Sequence, residues 1–169
     1  SGKTLGFLFP IVKKLDQNAH GIQAMIIVPA RELALQIETV FKSMGTDFKV
    51  SVCYGGHDKK IEINNFTEAP AVLIGTPGRI AYHLKHDNFD PLNIKTLVLD
   101  EFDKALEFGF TEDMSFIISE LENLEQKILT SATNISEMPD FTGIKKPKII
   151  NFLKSEASKP ALQLRKVET

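Results

Sequence analysis

Leu97-Val98-Leu99 runs straight into Asp100-Glu101-Phe102-Asp103, three apolar residues against three carboxylates split by one Phe. This junction constrains the fold more than any other stretch. A short, bounded apolar run with a β-branched centre reads as a strand buried on both faces, and such strands suit parallel sheets. Ligands of open α/β sheets bind beyond the carboxyl ends of the strands, where Asp100 and Glu101 fall. Adjacent carboxylates there offer the hard oxygens that magnesium takes beside phosphate. The same pattern also describes a strand that simply ends in solvent, so the neighbouring stretches have to decide.

The chain opens on Ser1-Gly2-Lys3-Thr4 and passes into Leu5, Phe7, Leu8, Phe9, Ile11, Val12 and Leu15, an apolar pattern of helical spacing. Gly-Lys-Thr at a helix start is the second half of a P-loop. Helix N-terminal amides attract phosphate. In that reading Lys3 reaches the β- and γ-phosphates and the Thr4 hydroxyl ligates magnesium. A frayed terminus is the plain alternative. Ala24 to Val28 reads as the next strand, ended by Pro29, with a helix from Ala30-Arg31 carrying Leu33, Ile37, Val40, Phe41 and Met44 inward. Arg31 at that helix start can meet an anion or pair with Glu32 or Glu38. Phe48 to Tyr54 alternates as a strand, with Phe48, Val50 and Val52 on one face, and Gly55-Gly56 follows, a turn where backbone can approach a ligand closely. A short helix is expected over Asp58 to Phe66, then a strand from Ala71 to Gly75.

Thr76-Pro77-Gly78-Arg79 opens the next helix, with Thr76 as N-cap and Pro77 as its first residue. The same hydroxyl, amides and arginine can hold a phosphodiester. Ile94 to Leu99 carries the acids. Leu106 and Phe108 to Phe110 are expected to bury a turn, and Glu112 to Leu124 a helix facing inward through Met114, Ile117, Ile118, Leu121 and Leu124. Gln126 to Leu129 reads as a strand ended by Thr130-Ser131-Ala132-Thr133, Pro139 to Lys146 as loop, and Pro147 to Leu153 as an edge strand. Strands alternate with helices, the mark of a parallel α/β sheet, and each polar cluster follows a strand.

Composition narrows the classes. A chain of 169 residues, 43% hydrophobic, supports one domain with a sizeable core. A formal charge of -2 provides no bulk attraction for polyanions, so nucleic acid would be held by a local patch or by backbone amides. The single cysteine, Cys53, excludes a disulfide framework within the chain and fits a reducing, cytoplasmic home; it reads as a small buried hydrophobe. No run is long and apolar enough for a membrane helix.

The ordered set Gly2-Lys3-Thr4, Pro29-Ala30-Arg31-Glu32-Leu33-Ala34, Gly55-Gly56, Thr76-Pro77-Gly78-Arg79, Asp100-Glu101-Phe102-Asp103 and Ser131-Ala132-Thr133 resembles the first RecA-like domain of a DEAD-box ATP-dependent RNA helicase. The resemblance implies an α/β, three-layer P-loop NTPase fold with a mostly parallel sheet over residues 1–153, and a linker over 154–169 towards a second RecA-like domain. It implies ATP and Mg2+ as cofactors. Gly2, Lys3 and Thr4 would hold the phosphates, with Thr4 and Asp100 at the metal. Glu101 would act on the attacking water, with Asp100 and Lys3 completing the catalytic set. Asp103, Ser131 and Thr133 would couple the nucleotide site to domain closure. Pro29, Arg31, Gly56, Thr76, Gly78 and Arg79 would grip the sugar-phosphate backbone of single-stranded or duplex RNA.

Two positions depart from the pattern: Phe102 stands where Ala is usual, and Ala30 where Thr is usual. The chain starts within the P-loop, without the strand that leads into it, the adenine-reading motif or the second domain's arginine finger. Three expectations follow: little ATP hydrolysis by this chain alone, loss of a strand from the middle of the sheet, and filling of that gap by self-association, a strand swap or a rearranged edge. Two other classes stay open. One is a DNA helicase or another P-loop ATPase, and the other a non-enzymatic RNA or protein docking module.

Overall fold

The computed structural model describes residues 2–150, apart from 134 and 136. The elements alternate: α1 (Gly2–Lys14), β1 (Ala24–Ile27), α2 (Arg31–Ser43), β2 (Val50–Cys53), α3 (Lys59–Thr67), β3 (Val72–Gly75), α4 (Pro77–Lys85), β4 (Thr96–Leu99), α5 (Phe102–Glu107), α6 (Thr111–Glu120) and β5 (Gln126–Leu129), then a 3-10 turn at Asp140–Thr142. The sheet has the order β2-β3-β1-β4-β5, and all four pairings are parallel. The five strands pair without a gap, and β5 stands at an edge, bonded to β4 alone among the described residues.

Alternation along each strand divides the core in two. Met25, Ile27, Leu73, Leu97 and Leu99 point to the face covered by α4, α5 and α6. Ala24, Ile26, Val28, Val72, Ile74 and Val98 point to the face covered by α1 and α2. Both faces of β1, β3 and β4 are therefore buried, as their unbroken apolar runs require. Each Ile or Leu so buried contributes about 1.5–3 kcal/mol. The result is three layers, helix over sheet over helix, as expected from the alternation.

Several local readings need correcting. The stretch after the acids is helix α5 as far as Glu107, so Leu106 lies on helix, and the expected turn follows over Phe108 to Phe110; in it Phe108 points outward at 60% exposure while Phe110 packs on the core. Helix α6 ends at Glu120, before Leu124, because the chain must turn back so that the amides of Glu125 and Gln126 reach the carbonyl of Lys95 and register β5. Leu121 and Leu124 still pack inward from the loop. On β2 the buried residues are Ser51 and Cys53, with Val50 and Val52 only half-buried against the other face. Residues 147–150 form no strand, and Ile149 and Ile150 are exposed. Residues 151–153 of that expected strand, and the expected linker over 154–169, lie outside the described residues.

Candidate nucleotide and polyanion site

The last turn of α1 (Ile11, Lys14, with Leu15 after it) lines a small cavity together with Ala24, Thr96 and Glu125, which mark the starting ends of β1, β4 and β5. Helix α1 thus runs back along the sheet. Its first turn, Gly2 to Thr4, lies at the end where the strands finish. Gly2 and Lys3 are exposed and Thr4 is half-buried. The first-turn amides of a helix of 13 residues are open donors there.

The acidic half of the site is built on an extension of the sheet ladder. Asp100 N–H donates to Ile27 O at 2.9 Å, Thr130 N–H to Leu99 O at 3.0 Å, and Phe102 N–H to Thr130 O at 2.9 Å. These bonds carry the chain past the strand end and fix where the carboxylates emerge. Asp100 is buried, and its Oδ1 accepts a hydrogen bond from the Thr130 hydroxyl. The same hydroxyl accepts from Glu101 N–H at 3.1 Å. Glu101 sits at φ 49° and ψ 49°, left-handed backbone that is strained for a residue with a Cβ. Its side chain is only half-buried, so it remains accessible.

Asp103 faces the strand after it. Its Oδ2 accepts from Ala132 N–H at 3.2 Å, Thr133 N–H at 3.1 Å and Thr133 Oγ1 at 3.0 Å. Burial pushes the Asp103 carboxyl up, but the hydrogen bonds from Thr133, Ser131 and nearby amides outweigh it and hold the group below its ordinary value. Its other oxygen, Oδ1, is buried without a partner among the described residues. Ser131 Oγ donates to Thr133 O at 2.7 Å, which closes the small loop. The oxygens of Thr4, Asp100 and Glu101 are hard donors of the type magnesium selects. Among the described residues no cluster of three or more His, Cys, Asp or Glu side chains forms a ready metal cage.

The second half lies along the ends of β1, β3 and β2. Val28 N–H donates to Gly75 O at 3.0 Å and Thr76 N–H to Cys53 O at 3.1 Å. Pro29 is buried, and Arg31 is exposed in an ion pair with Glu32, Nε to Oε1 at 2.7 Å. The hydrogen bond that Arg31 donates to Glu32, and the charge of Glu32, raise the guanidinium further, so it stays a cation. Gly55 and Gly56 are exposed, and Gly56 has φ +86°, which a side chain would strain. Thr76 stands at the N-cap of α4 with Pro77 following, but its hydroxyl makes no capping bond. That hydroxyl is half-buried and Gly78 is exposed.

Arg79 is placed otherwise than an open phosphate ligand would be. Its side chain is 8% exposed. Its Nε donates to Tyr54 O at 3.0 Å and its Nη2 to His57 O at 2.6 Å. The guanidinium therefore clasps the Gly55-Gly56 turn from beneath. Gly75 is needed for close approach: a Cβ there would lie 2.6 Å from Cys53 O and 2.6 Å from Cys53 Sγ. Cys53 itself is free and fully buried, and burial pushes its thiol well up, which leaves it unreactive.

The candidate residues thus fall into two clusters on one end of the sheet, acids beyond β4 and β5, glycines and arginines beyond β2, β3 and β1. No hydrogen bond joins Lys3 or Thr4 to Asp100 or Glu101 among the described residues. Thr130, Glu62, His57 and His83 also belong to this end of the sheet, and in the sequence Thr130 shows only as a hydroxyl at a strand end. The signal for Glu62 was faint: an acid between Ile61 and Ile63 on a short helix.

A family model for the DEAD/DEAH box helicase matches residues 1–141. The chain is 42% identical over 135 residues to an ATP-dependent RNA helicase CshA of Limosilactobacillus reuteri, covering 79% of this chain and 27% of the relative. It is 36% identical over 167 residues to an ATP-dependent rRNA helicase RRP3 of Encephalitozoon cuniculi, covering 96% of this chain and 42% of the relative. The chain thus spans less than half the length of these relatives. The crystal structure of a DEAD box protein from the hyperthermophile Methanococcus jannaschii superposes with a TM-score of 0.73 at 33% identity, over 83% of this chain and 38% of that one.

Proposed function

The chain belongs to the DEAD/DEAH box helicase family, and on that premise we propose that it is the ATP-binding, first RecA-like domain of an ATP-dependent RNA helicase. In this reading it couples ATP binding and hydrolysis to a grip on single-stranded RNA and to duplex unwinding, with a second RecA-like domain elsewhere in the protein. The observation that carries the reading is the placement of both clusters on one sheet end, bridged by β1. Ile27 accepts from the acidic side and Val28 donates to the glycine side.

The roles follow from position. Gly2 and Lys3 at the open first turn of α1 bind phosphate. Thr4 and the free oxygen of Asp100 would hold Mg2+. A magnesium ion with the nucleotide supplies charge neutralisation on the phosphates. Glu101, accessible and held on strained backbone, orients the attacking water and takes its proton. Asp103 locks Ser131 and Thr133 to the acidic loop, so a movement of either is felt by the other.

On the RNA side, Pro29, Arg31, Gly56, Thr76 and Gly78 face a sugar-phosphate strand with backbone, one hydroxyl and one exposed cation. Arg79 acts there through the turn that it clasps. Such contacts position a strand without reading bases, which suits a chain of net charge -2. The buried free cysteine fits a reducing compartment, and the cytoplasm is the proposed location. Among the described residues no helix is long and apolar enough to cross a membrane.

The test is the ATPase rate of the full-length protein with single-stranded RNA, with matched DNA and with neither, beside Glu101→Gln. RNA stimulation abolished by the substitution supports the reading. Stimulation by DNA alone points instead to a DNA translocase. No turnover under any condition leaves a docking module.

A further inference from the structure

Helix α3 buries Phe66 and, one turn before it, an acid. Ile61 is 50% exposed and Ile63 39% exposed, while Glu62 between them has 1% exposure. A buried carboxylate is costly unless it is fully hydrogen-bonded, and Glu62 is. Its Oε1 accepts from Tyr54 N–H at 3.1 Å and from His57 Nδ1 at 3.0 Å. Its Oε2 accepts from His83 Nε2 at 2.6 Å and stands 3.3 Å from Arg79 Nε. Asn88 Nδ2 lies 2.9 Å from His83 Nδ1. An amide donor there makes Nδ1 the acceptor and leaves the proton on Nε2, facing Glu62. Burial pushes the Glu62 carboxyl up, yet these donors outweigh it and hold it below its ordinary value.

The donors come from two places. Tyr54 and His57 flank the Gly55-Gly56 turn. Arg79 and His83 belong to α4, which begins Thr76-Pro77-Gly78. One carboxylate therefore ties the two exposed glycine segments together, and Arg79 doubles the tie through the carbonyls of Tyr54 and His57. The Tyr54 and His57 rings stack at 5.1 Å, which stiffens the turn further. Hydrophobic packing alone could join α3 to α4. It would not require an acid turned inward with isoleucines turned out.

We infer that Glu62 is a positioning residue for RNA: through His57, Arg79 and His83 it sets the spacing between the Gly55-Gly56 turn and the start of α4, so that both meet one sugar-phosphate strand. The inference rests on the RNA reading above. Glu62 touches no phosphate itself. It acts by removing the freedom of the two segments that do, which would otherwise be lost on binding.

The test uses the full-length protein and a fluorescein-labelled single-stranded oligouridylate, with anisotropy for RNA and a fluorescent ATP analogue for the nucleotide site. Glu62→Gln keeps the shape but places an amide against His83 and Arg79. Its RNA dissociation constant should rise about tenfold, the size of one charge-assisted hydrogen bond, with nucleotide affinity unmoved. A merely structural role would lower both in proportion to the folded fraction. His57→Gln, at a half-buried ring, leaves the fold safe and should weaken RNA binding about threefold. If Glu62→Gln does not fold, His57→Gln decides. Unchanged RNA affinity in a folded variant overturns the inference. An unsubstituted protein that binds no RNA refutes the RNA reading itself.

Discussion

Thr130→Val is the substitution through which the acidic half of the site can be tested most directly. It removes one oxygen and keeps the shape. That oxygen donates to Asp100 and accepts from Glu101 N–H at 3.1 Å. A hydrogen bond to a charged group contributes about 1.5–3 kcal/mol and a neutral one about 0.5–1.5 kcal/mol. Thr130 is half-buried, so water replaces part of both, and the expected loss of stability is about 1–2 kcal/mol. Urea unfolding followed by circular dichroism measures it, with an unchanged slope to show that the same surface is exposed. Thr130→Ser keeps the oxygen and should lose only about 0.5 kcal/mol. A Val variant as stable as the parent, or a Ser variant as weak as Val, would show that the hydroxyl does not hold the acids. In the full-length protein the Val variant should also need more magnesium for half-maximal ATPase, because the Asp100 rotamer is no longer fixed.

Three further outcomes follow from the geometry. Gly75→Ala should destabilise by about 3 kcal/mol, the upper range for overpacking, since the new methyl meets the backbone of Cys53 and Ile80 Cγ1 at 2.9 Å; Cys53→Ala in the same chain should restore only part, because the carbonyl clash remains. Glu101→Gly should raise stability by about 0.5–1 kcal/mol by relieving left-handed backbone and abolish ATP hydrolysis, so an unfolding curve shifted to lower urea contradicts the strain assigned at φ 49°. Glu62 and Asp103 both sit below their ordinary values of 4.5 and 3.8, so the unfolded chain binds their protons more tightly. Their contribution is complete above about pH 4.5, falls as pH drops through the lowered values, and Glu62→Gln should flatten that acid limb in urea melts.

The layer order and the sheet were legible because both rest on periodicity. The apolar runs at Ala24, Ala71 and Leu97 had no polar alternation, and strands buried on both faces need none. The polar clusters were legible because each followed such a run. What escaped was set by tertiary contact. Phe108 reads as core by composition, but α5 ends at Glu107 and turns that ring outward. Arg79 reads as an open cation, and only the fold shows that Tyr54 and His57 occupy its nitrogens. Glu62 reads as surface because its four donors lie 5 to 21 residues away in sequence.

Phe102 shows how the two kinds of information meet. A ring in place of a small residue raises doubt about packing beside the acids. The structure buries it completely, with its ring 6.2 Å from that of Phe141 and in the same cluster as Met114 and Ile117. Its amide still reaches Thr130 O, so the larger side chain leaves the ladder intact. That ladder is continuous across the site. Asp100 N–H meets Ile27 O, the next residue's N–H meets Gly75 O, Gly75 pairs with Cys53, and Thr76 N–H meets Cys53 O. The acids are thus joined to both glycine segments by backbone alone. Gly75 is the residue on that path with no room for any side chain, so it is where a link between the two halves is most exposed to mutation.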